Sequence, residues 1–136
     1  MTNKDLAKSY IWKAETRLAA LEVLNAKRNF SDVVREAQET VELCLKGMLR
    51  AVGVEPPKYH DVGGLLLEHG DRFSAAVVKG LKRAADISKR LRKEREMAFY
   101  GDIDFIPTEE YTAKDARAAL NDARWVVRLA KKVSTK

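Results

Sequence analysis

Apolar residues recur three and four positions apart along most of the chain, which is the spacing of one buried face on an α-helix. The first run covers residues 3–28, with the stripe Leu6, Tyr10, Ala14, Leu18 and Leu21. The second covers about 32–52, with the stripe Val34, Ala37, Val41, Cys44, Leu45, Met48, Leu49 and Val52. Only a short break separates the two runs, so they are predicted to form an antiparallel helical pair.

Residues suited to helix ends support this division. Asn3 is predicted to cap the first helix and Ser31 the second, because such side chains accept hydrogen bonds from the free N–H groups of a first turn. Gly53 is predicted to end the second helix, since glycine readily adopts the left-handed conformation found there. Pro56 and Pro57 then exclude a helix and predict an extended segment.

Two further long helices and one short helix complete the pattern. Asp61 is predicted to cap a short helix that contains Val62, Leu65, Leu66 and Leu67. Asp71 is predicted to cap a long helix over about 72–98, with the stripe Phe73, Ala76, Val77, Gly80, Leu81, Ala84, Ile87, Leu91 and Ala98. A loop over 100–107 leads to a final helix, for which Thr108 and Thr112 are alternative caps.

The pattern therefore predicts an all-α fold, an up-and-down bundle of four long helices with one short extra helix, forming a single domain over residues 1–136. The composition agrees with this prediction. Hydrophobic residues make up 46% of the chain, enough for one core. Charged residues make up 34%, as expected when each helix keeps a solvated outer face.

Cysteine usage and hydropathy exclude several classes of protein. The single cysteine, Cys44, excludes an internal disulfide and a cysteine-rich metal site. It lies within a predicted apolar stripe, so a buried thiol is favoured over a nucleophile. No run approaches the roughly 20 apolar residues of a membrane span, and the first residues lack a signal-peptide core. We expect a cytoplasmic protein with no membrane association, no metal and no cofactor.

The positive charge of the chain is concentrated in one helix. The net charge is +6, and residues 79–95 carry this whole excess with eight basic and two acidic residues. A basic helix face indicates either a polyanionic or acidic partner or simply a solvated surface. The basic run leads directly into the only polar constellation of the sequence.

That constellation is formed by Arg95, Tyr100 and Asp102. Arg95 lies about 40° around the helix from Leu91, at the edge of the buried stripe. A guanidinium there cannot lose its charge and needs an acceptor. Gly101 can end the helix, so we expect the arginine, the tyrosine hydroxyl and the carboxylate to converge at this helix end. Asp102 either pairs with Arg95 or caps the loop.

Three segments of the sequence resemble HEPN (higher eukaryotes and prokaryotes nucleotide-binding) domains. They are residues 31–49, residues 57–66 with their Pro-Lys-Tyr-His-Asp turn, and residues 95–102 followed by Pro107 and Tyr111. The resemblance covers about residues 3–133. It implies a helical bundle that usually dimerises.

The resemblance also implies several roles. Many HEPN members are metal-independent ribonucleases, often the toxin of a toxin–antitoxin pair, and others are RNA-binding modules or inactive scaffolds. Many small prokaryotic members are partnered with a minimal nucleotidyltransferase. Active members place a histidine four to six residues after an arginine. This sequence has Tyr100 after Arg95, and its only histidines, His60 and His69, lie upstream.

The missing histidine changes the expected chemistry. Cleavage of RNA without a metal requires a general base that works near neutral pH and a cation for the developing phosphorane charge. Arg95 can supply the cation. Tyrosine has a reference pKa of about 10 and is a poor base, and the carboxylate of Asp102 is less well matched to neutral pH than a histidine.

We therefore predict a nucleotide- or RNA-binding interaction module that forms a homodimer and is partnered with a minimal nucleotidyltransferase. Its phosphate contacts are predicted to be Arg92, Arg95, Lys89 and Lys93. The first alternative is a metal-independent ribonuclease with a degenerate site of Arg95, Tyr100 and Asp102. The second is a purely structural dimer without a ligand, in which Leu91 and Ala98 lie at the interface and Arg95 only forms an ion pair. Apart from these alternatives, Tyr100, Trp12 and Trp125 are predicted to be core or dimer-contact aromatics.

Overall fold

A computed structural model describes residues 2–58 and 62–134 of the chain. The α-helices are α1 (Asn3–Ala26), α2 (Phe30–Ala51), α3 (Val62–Glu68), α4 (Ala75–Phe99), α5 (Pro107–Glu110) and α6 (Ala113–Ser134). A 3-10 turn, Gly70–Arg72, lies between α3 and α4. No strand occurs in the described ranges, where the one β-type pairing is an isolated bridge between Asp102 and Phe105. The predicted all-α fold is confirmed.

Helix α2 lies at the centre of the bundle, because it contacts α1, α3, α4, α5 and α6. Its stripe is excluded from solvent, with Val41, Leu45 and Met48 fully buried. The long helices α1, α2, α4 and α6 alternate in direction, so the bundle has two ends. The loop end holds residues 100–106 and the start of α2. The termini end holds the starts of α1 and α4 and the last turns of α2 and α6.

Two predicted caps differ from the observed ones by one or two residues. Helix α1 is capped by Thr2, whose hydroxyl accepts from the Asp5 N–H at 3.1 Å while the Asp5 carboxylate accepts from the Thr2 N–H at 2.9 Å. Helix α2 begins at Phe30, one residue before the predicted cap Ser31. The reason is a tight reversal at Arg28, which has a φ of 62° and lets the chain enter α2 earlier.

The start of α4 is also later than predicted. Asp71 does not cap α4, because residues 70–72 form the 3-10 turn and the C-cap Phe73 is extended. The extended Phe73 breaks the helical path and buries its ring in the core. The Ser74 carbonyl then accepts from the N–H groups of Val77 and Val78 in the first turn of α4. The predicted cap of α3, Asp61, lies outside the described residues.

The link between α4 and α6 contains a helical turn that the sequence did not predict. Pro107 occupies the first turn of α5, which replaces the end of the predicted loop. Of the two alternative caps for α6, the structure has Thr112, whose hydroxyl accepts from the Asp115 N–H at 3.2 Å. Phe105 packs edge to face on Tyr111, with ring centroids 5.8 Å apart, and holds the link against the bundle.

Cys44 is fully buried in α2, as predicted. Burial disfavours the thiolate and, with a smaller effect from Glu15, raises the pKa of Cys44 to about 12. The thiol is therefore a core group and not a nucleophile at neutral pH.

Candidate functional site

The last turns of α4 carry charged side chains on both edges of the buried stripe. Leu91 and Ala98 mark the buried side. Arg92 and Arg95 face α2, where they meet carboxylates. Arg90 faces α6 and pairs with Asp122 at 2.6 Å. These arginines of the basic run therefore pair with carboxylates on two different neighbouring helices.

The two arginines that face α2 each meet a glutamate one turn apart. Nη2 of Arg95 lies 3.0 Å from Oε1 of Glu39. Nη2 of Arg92 lies 3.4 Å from Oε1 of Glu42. The side chains of Arg95 and Arg92 remain 50% and 38% exposed. We call this strip, formed by Arg35, Glu39, Glu42, Arg92, Arg95 and Phe99, the α2–α4 seam. Its guanidinium groups are held in place but still reach solvent.

Glu42 is bound more firmly than Glu39. Its Oε2 accepts from Nε2 of Gln38 at 2.9 Å, and its Oε1 lies 3.7 Å from Nζ of Lys46. Gln38 is 1% exposed, and its Oε1 is buried with no hydrogen-bond partner among the described residues. Glu42 would therefore keep two donors if Arg92 moved away, whereas the described partner of Glu39 is Arg95 alone.

The seam continues at the loop end into an apolar cleft. The Arg35 guanidinium lies 4.1 Å from the centroid of the Phe99 ring, a cation–π contact. Arg35 also pairs with Glu36 at 2.6 Å, and Arg17 pairs with the same carboxylate at 3.2 Å. The cleft has a volume of about 440 Å³ and is lined by Arg17, Ala20, Val23, Leu24, Asp32, Glu36 and Phe99.

Arg95, Tyr100 and Asp102 lie in the last turns of α4 and in the turn that follows it, but no hydrogen bond or ion pair joins them among the described residues. Tyr100 is 75% exposed and packs edge to face on Phe99, with centroids 4.5 Å apart. The Asp102 carboxylate accepts from the Ile103 N–H at 2.7 Å. Of the two alternatives for Asp102, the structure has the loop cap, and Arg95 finds its acceptor on α2.

Gly101 fixes the direction in which the chain leaves α4. It has a φ of 69°, which only glycine adopts without strain. The Asp102 N–H donates to the Phe105 carbonyl and the Phe105 N–H donates to the Asp102 carbonyl, both at 2.9 Å. A Cβ at Gly101 would overlap that Phe105 oxygen and lie 2.5 Å from Cδ of Pro107. The turn that presents Tyr100 and Asp102 therefore depends on this glycine.

Two of the predicted phosphate contacts lie on the outward face of α4. Lys89 and Lys93 are one turn apart and exposed, and neither has an ion-pair partner among the described residues. Other cations of the basic run are engaged, since Lys82 pairs with Asp86 at 2.8 Å and Arg83 stacks on Trp125 at 4.1 Å. Arg92 lies between these lysines and Arg95 around the helix, so the four cations are neighbours on the surface of α4. We call Lys89, Arg92, Lys93 and Arg95 the cationic strip.

The histidines do not reach this strip among the described residues. His69 precedes the 3-10 turn before α4 and is thus at the termini end. At about 1.5 Å per residue, the start of α4 lies about 30 Å from Arg95. His60 lies outside the described residues. The described part of the chain therefore places no imidazole beside Arg95.

Tyr111 is buried and makes a polar contact that the sequence did not predict. Its hydroxyl donates to Oε2 of Glu94 at 2.6 Å and ties the start of α6 to α4. Burial, followed by this hydrogen bond, raises the pKa of Tyr111 above its usual value. The phenol therefore stays protonated and is not a general base at neutral pH. The sequence shows a tyrosine at position 111 but gives no indication that Glu94 is its hydrogen-bond partner.

Within residues 2–58 and 62–134, no group of three or more His, Cys, Asp or Glu side chains has the geometry to hold a metal ion. In the same ranges, no helix combines the length and the apolar character needed to cross a bilayer.

Comparison with known proteins gives one match. A family model described as the HEPN domain matches residues 7–133, nearly the whole chain. Searches of curated proteins and of solved structures gave no match. A family match of this extent supports a nucleotide- or RNA-related module in general terms. The match includes both helices of the α2–α4 seam and the turn at Gly101, and the chain belongs to the HEPN domain family.

Proposed function

We propose that this protein is an RNA- or nucleotide-binding module whose phosphate contacts are Lys89, Arg92, Lys93 and Arg95. The observation that carries the proposal is the half-exposed Arg95, held at the end of α4 by the Glu39 carboxylate, with no described histidine beside it. A cation in that position can bind a phosphate. The described base nearest to it is the Glu39 carboxylate, which is less well matched to proton transfer near neutral pH than a histidine.

The ion pairs of the seam are compatible with phosphate binding. Both pairs are partly exposed on the arginine side, and ion pairs that reach solvent contribute only about 1 kcal/mol, so a phosphate can replace Glu39 or Glu42 as the arginine's partner at small cost. The planar guanidinium of Arg95 can then bind two phosphate oxygens at once. Glu42 keeps the Gln38 and Lys46 donors when Arg92 turns to the ligand. The exposed Lys89 and Lys93 extend the cationic strip along α4.

The first test is an incubation with a mixed structured RNA in EDTA, with wild type beside Arg95→Ala. We expect no cleavage, and retention of the RNA that weakens with salt and with the substitution, because each phosphate contact releases counterions. Cleavage by wild type alone, leaving cyclic-phosphate ends, would instead establish the ribonuclease alternative with Arg95, Tyr100 and Asp102. An absence of both cleavage and retention would reject the binding proposal.

Homodimerisation is part of the proposal and is supported by exposed apolar side chains at the loop end. Phe99 and Ile106 are about half exposed, and Val23, Tyr100 and Ile103 are more exposed still. Phe99 and Val23 line the same cleft. Contiguous exposed apolar patches are characteristic of protein–protein interaction sites. Phe99 also belongs to the α2–α4 seam, so a second copy bound here would lie next to that seam.

Replacing Val23 and Phe99 together by serine is expected to convert a wild-type dimer into a monomer. The reason is the loss of apolar area at the interface, worth about 25 cal/mol per Å² buried. Sedimentation velocity measures the change, with Trp12→Ser as a control because Trp12 is also exposed but lies elsewhere on α1. A monomeric wild type, or an equal effect of Trp12→Ser, would contradict this interface.

The partner proposed for the module is a minimal nucleotidyltransferase, with the Tyr100 hydroxyl as an acceptor of the nucleotidyl group. The support is the exposure of Tyr100 on a turn outside the helices, where an enzyme can reach it. In this reaction the Tyr100 oxygen would bond to the α-phosphorus of ATP as the bond to the β-phosphate breaks, releasing pyrophosphate and the phenol proton. We expect mass spectrometry to find one added adenylyl group after incubation with such an enzyme and ATP, and none in Tyr100→Phe. Addition to Tyr10 or Tyr111 in place of Tyr100 would contradict the assignment.

A further inference from the structure

The termini end of the bundle contains a cavity, about 30 Å along α4 from Arg95. It has a volume of about 580 Å³. Its floor is apolar and formed by four buried side chains from three helices and the segment before α4: Ala7, Phe73, Val77 and Val133. Its rim carries Lys4, Lys8 and Arg72.

The rim is cationic and has no described counter-charge. Lys4 and Lys8 lie one turn apart on α1, are exposed, and have no ion-pair partner among the described residues. Nη1 of Arg72 donates to the Val52 carbonyl at 3.1 Å. That contact fixes the guanidinium at the rim but leaves its charge unneutralised. No carboxylate occurs among the described residues that line the cavity.

A second cleft on the bundle has the opposite balance of charge, with four carboxylates and one arginine, Arg90, in its lining. The cleft between α4 and α6 has a similar volume, about 460 Å³, but its lining includes the carboxylates of Glu94, Glu110, Asp115 and Asp122. The termini-end cavity instead combines three cations with an apolar floor. Ser74, which precedes the first turn of α4, also lines it, so the positive end of a long helix adds to the same field.

We infer that this cavity binds a small amphiphilic anion, of which a phosphomonoester of an aromatic or branched aliphatic alcohol is the best fit. The phosphate would lie between Lys4, Lys8 and Arg72, and the apolar group would cover Phe73 and Val77. The volume is in the range of about 300–1,000 Å³ that is usual for small-molecule sites. This site is separate from the proposed RNA contacts, which lie on the opposite half of α4.

The same phosphate chemistry occurs at the 5′ end of a nucleic acid, but the structure favours a small molecule. The apolar floor is a concave surface bounded by α1, α4 and the last turn of α6, which suits one compact group. The exposed lysine pair Lys89 and Lys93, which suits a polymer, lies elsewhere. A 5′-phosphorylated oligonucleotide is therefore a competing outcome of the test.

The test is a titration of the isotope-labelled protein with phenyl phosphate, followed by amide chemical shifts. We expect saturable shifts at Lys4, Ala7, Lys8 and residues 74–77, and at least a tenfold weaker affinity for inorganic phosphate and for benzyl alcohol alone. The double variant Lys4→Glu/Lys8→Glu is expected to lower the affinity for phenyl phosphate at least tenfold. Both lysines are exposed, so thermal unfolding should show an intact fold.

The matched control is Lys13→Glu/Lys27→Glu, which makes the same change in charge at exposed positions outside the cavity. It is expected to change the affinity by less than twofold. An equal loss in both double variants would overturn the site, because it would show only a general charge effect. Absence of saturable shifts at the cavity residues would also overturn it. If a 5′-phosphorylated oligonucleotide bound at these residues ten times more tightly than phenyl phosphate, the small-molecule inference would be overturned, and the ligand would be the 5′ end of a nucleic acid.

Discussion

Replacing Gly101 by alanine is expected to lower the free energy of unfolding by about 2–4 kcal/mol, from strain in a left-handed residue and overpacking. The conformation at Gly101 has a φ of 69°, which alanine adopts only with strain. The added Cβ would also overlap the Phe105 carbonyl, so one of the two hydrogen bonds between Asp102 and Phe105 must lengthen or break. Chemical denaturation measures the change.

A control for this substitution is present in the same chain. Gly53 also follows the last turn of a helix and has a φ of 81°, but a Cβ there would meet only Nη1 of Arg72, at 3.9 Å. Gly53→Ala is therefore expected to cost about 1–2 kcal/mol from backbone strain alone. The difference between the two variants isolates the overlap with Phe105. Equal losses would mean that the 102–105 turn yields to the side chain and does not fix the position of Asp102.

Replacing Lys89, Arg92, Lys93 and Arg95 together by glutamine is expected to weaken binding of single-stranded RNA at least a hundredfold at low salt. Four lost phosphate contacts should also reduce the slope of log affinity against log salt by about 3, at about 0.7 per contact. The fold should be retained, because the two ion pairs removed from the seam are partly exposed and contribute little to stability. Fluorescence anisotropy over a series of salt concentrations measures both quantities.

The control replaces four exposed cations outside the strip, Lys13, Lys27, Arg117 and Arg128, by glutamine. The net charge falls by the same amount, so any general attraction between the protein and RNA weakens equally in both variants. If the strip binds phosphates, the control keeps most of the wild-type affinity and slope. If both variants lose affinity alike, the interaction is unspecific and the four residues on α4 have no special part in it.

The periodicity of the sequence was sufficient to predict the four long helices and most of the core, because burial of one stripe dominates the energetics of each helix. Helix starts were less predictable. Asp71 and Ser31 are good capping residues by type, but a 3-10 turn before α4 and a reversal at Arg28 fix where those helices begin. The turn of α5 after Pro107 was missed because four residues carry no periodicity.

The candidate site was predictable only in part. The position of Arg95 beside the buried stripe correctly indicated that it needs an acceptor. The acceptor is Glu39 rather than Asp102, because the pairing depends on how α2 and α4 lie against each other and not on distance along the chain. The same holds for Arg92 with Glu42 and for Tyr111 with Glu94. Ion pairs between helices can be predicted only when the rotation of each helix about its own axis in the bundle is known.

Because Cys44 is buried, the reaction of its thiol with a reagent reports on large-scale opening of the bundle. Cys44 is the only cysteine in the sequence, it lies in the middle of the central helix, and its thiol is shielded from reagents in the folded state. Alkylation by a neutral thiol reagent can therefore proceed only when α2 separates from its neighbours, so the alkylation rate counts such events. If RNA binds at one end of the bundle and a small anion at the other, as proposed, each is expected to lower that rate in proportion to its occupancy, so that one measured rate compares the two ligands.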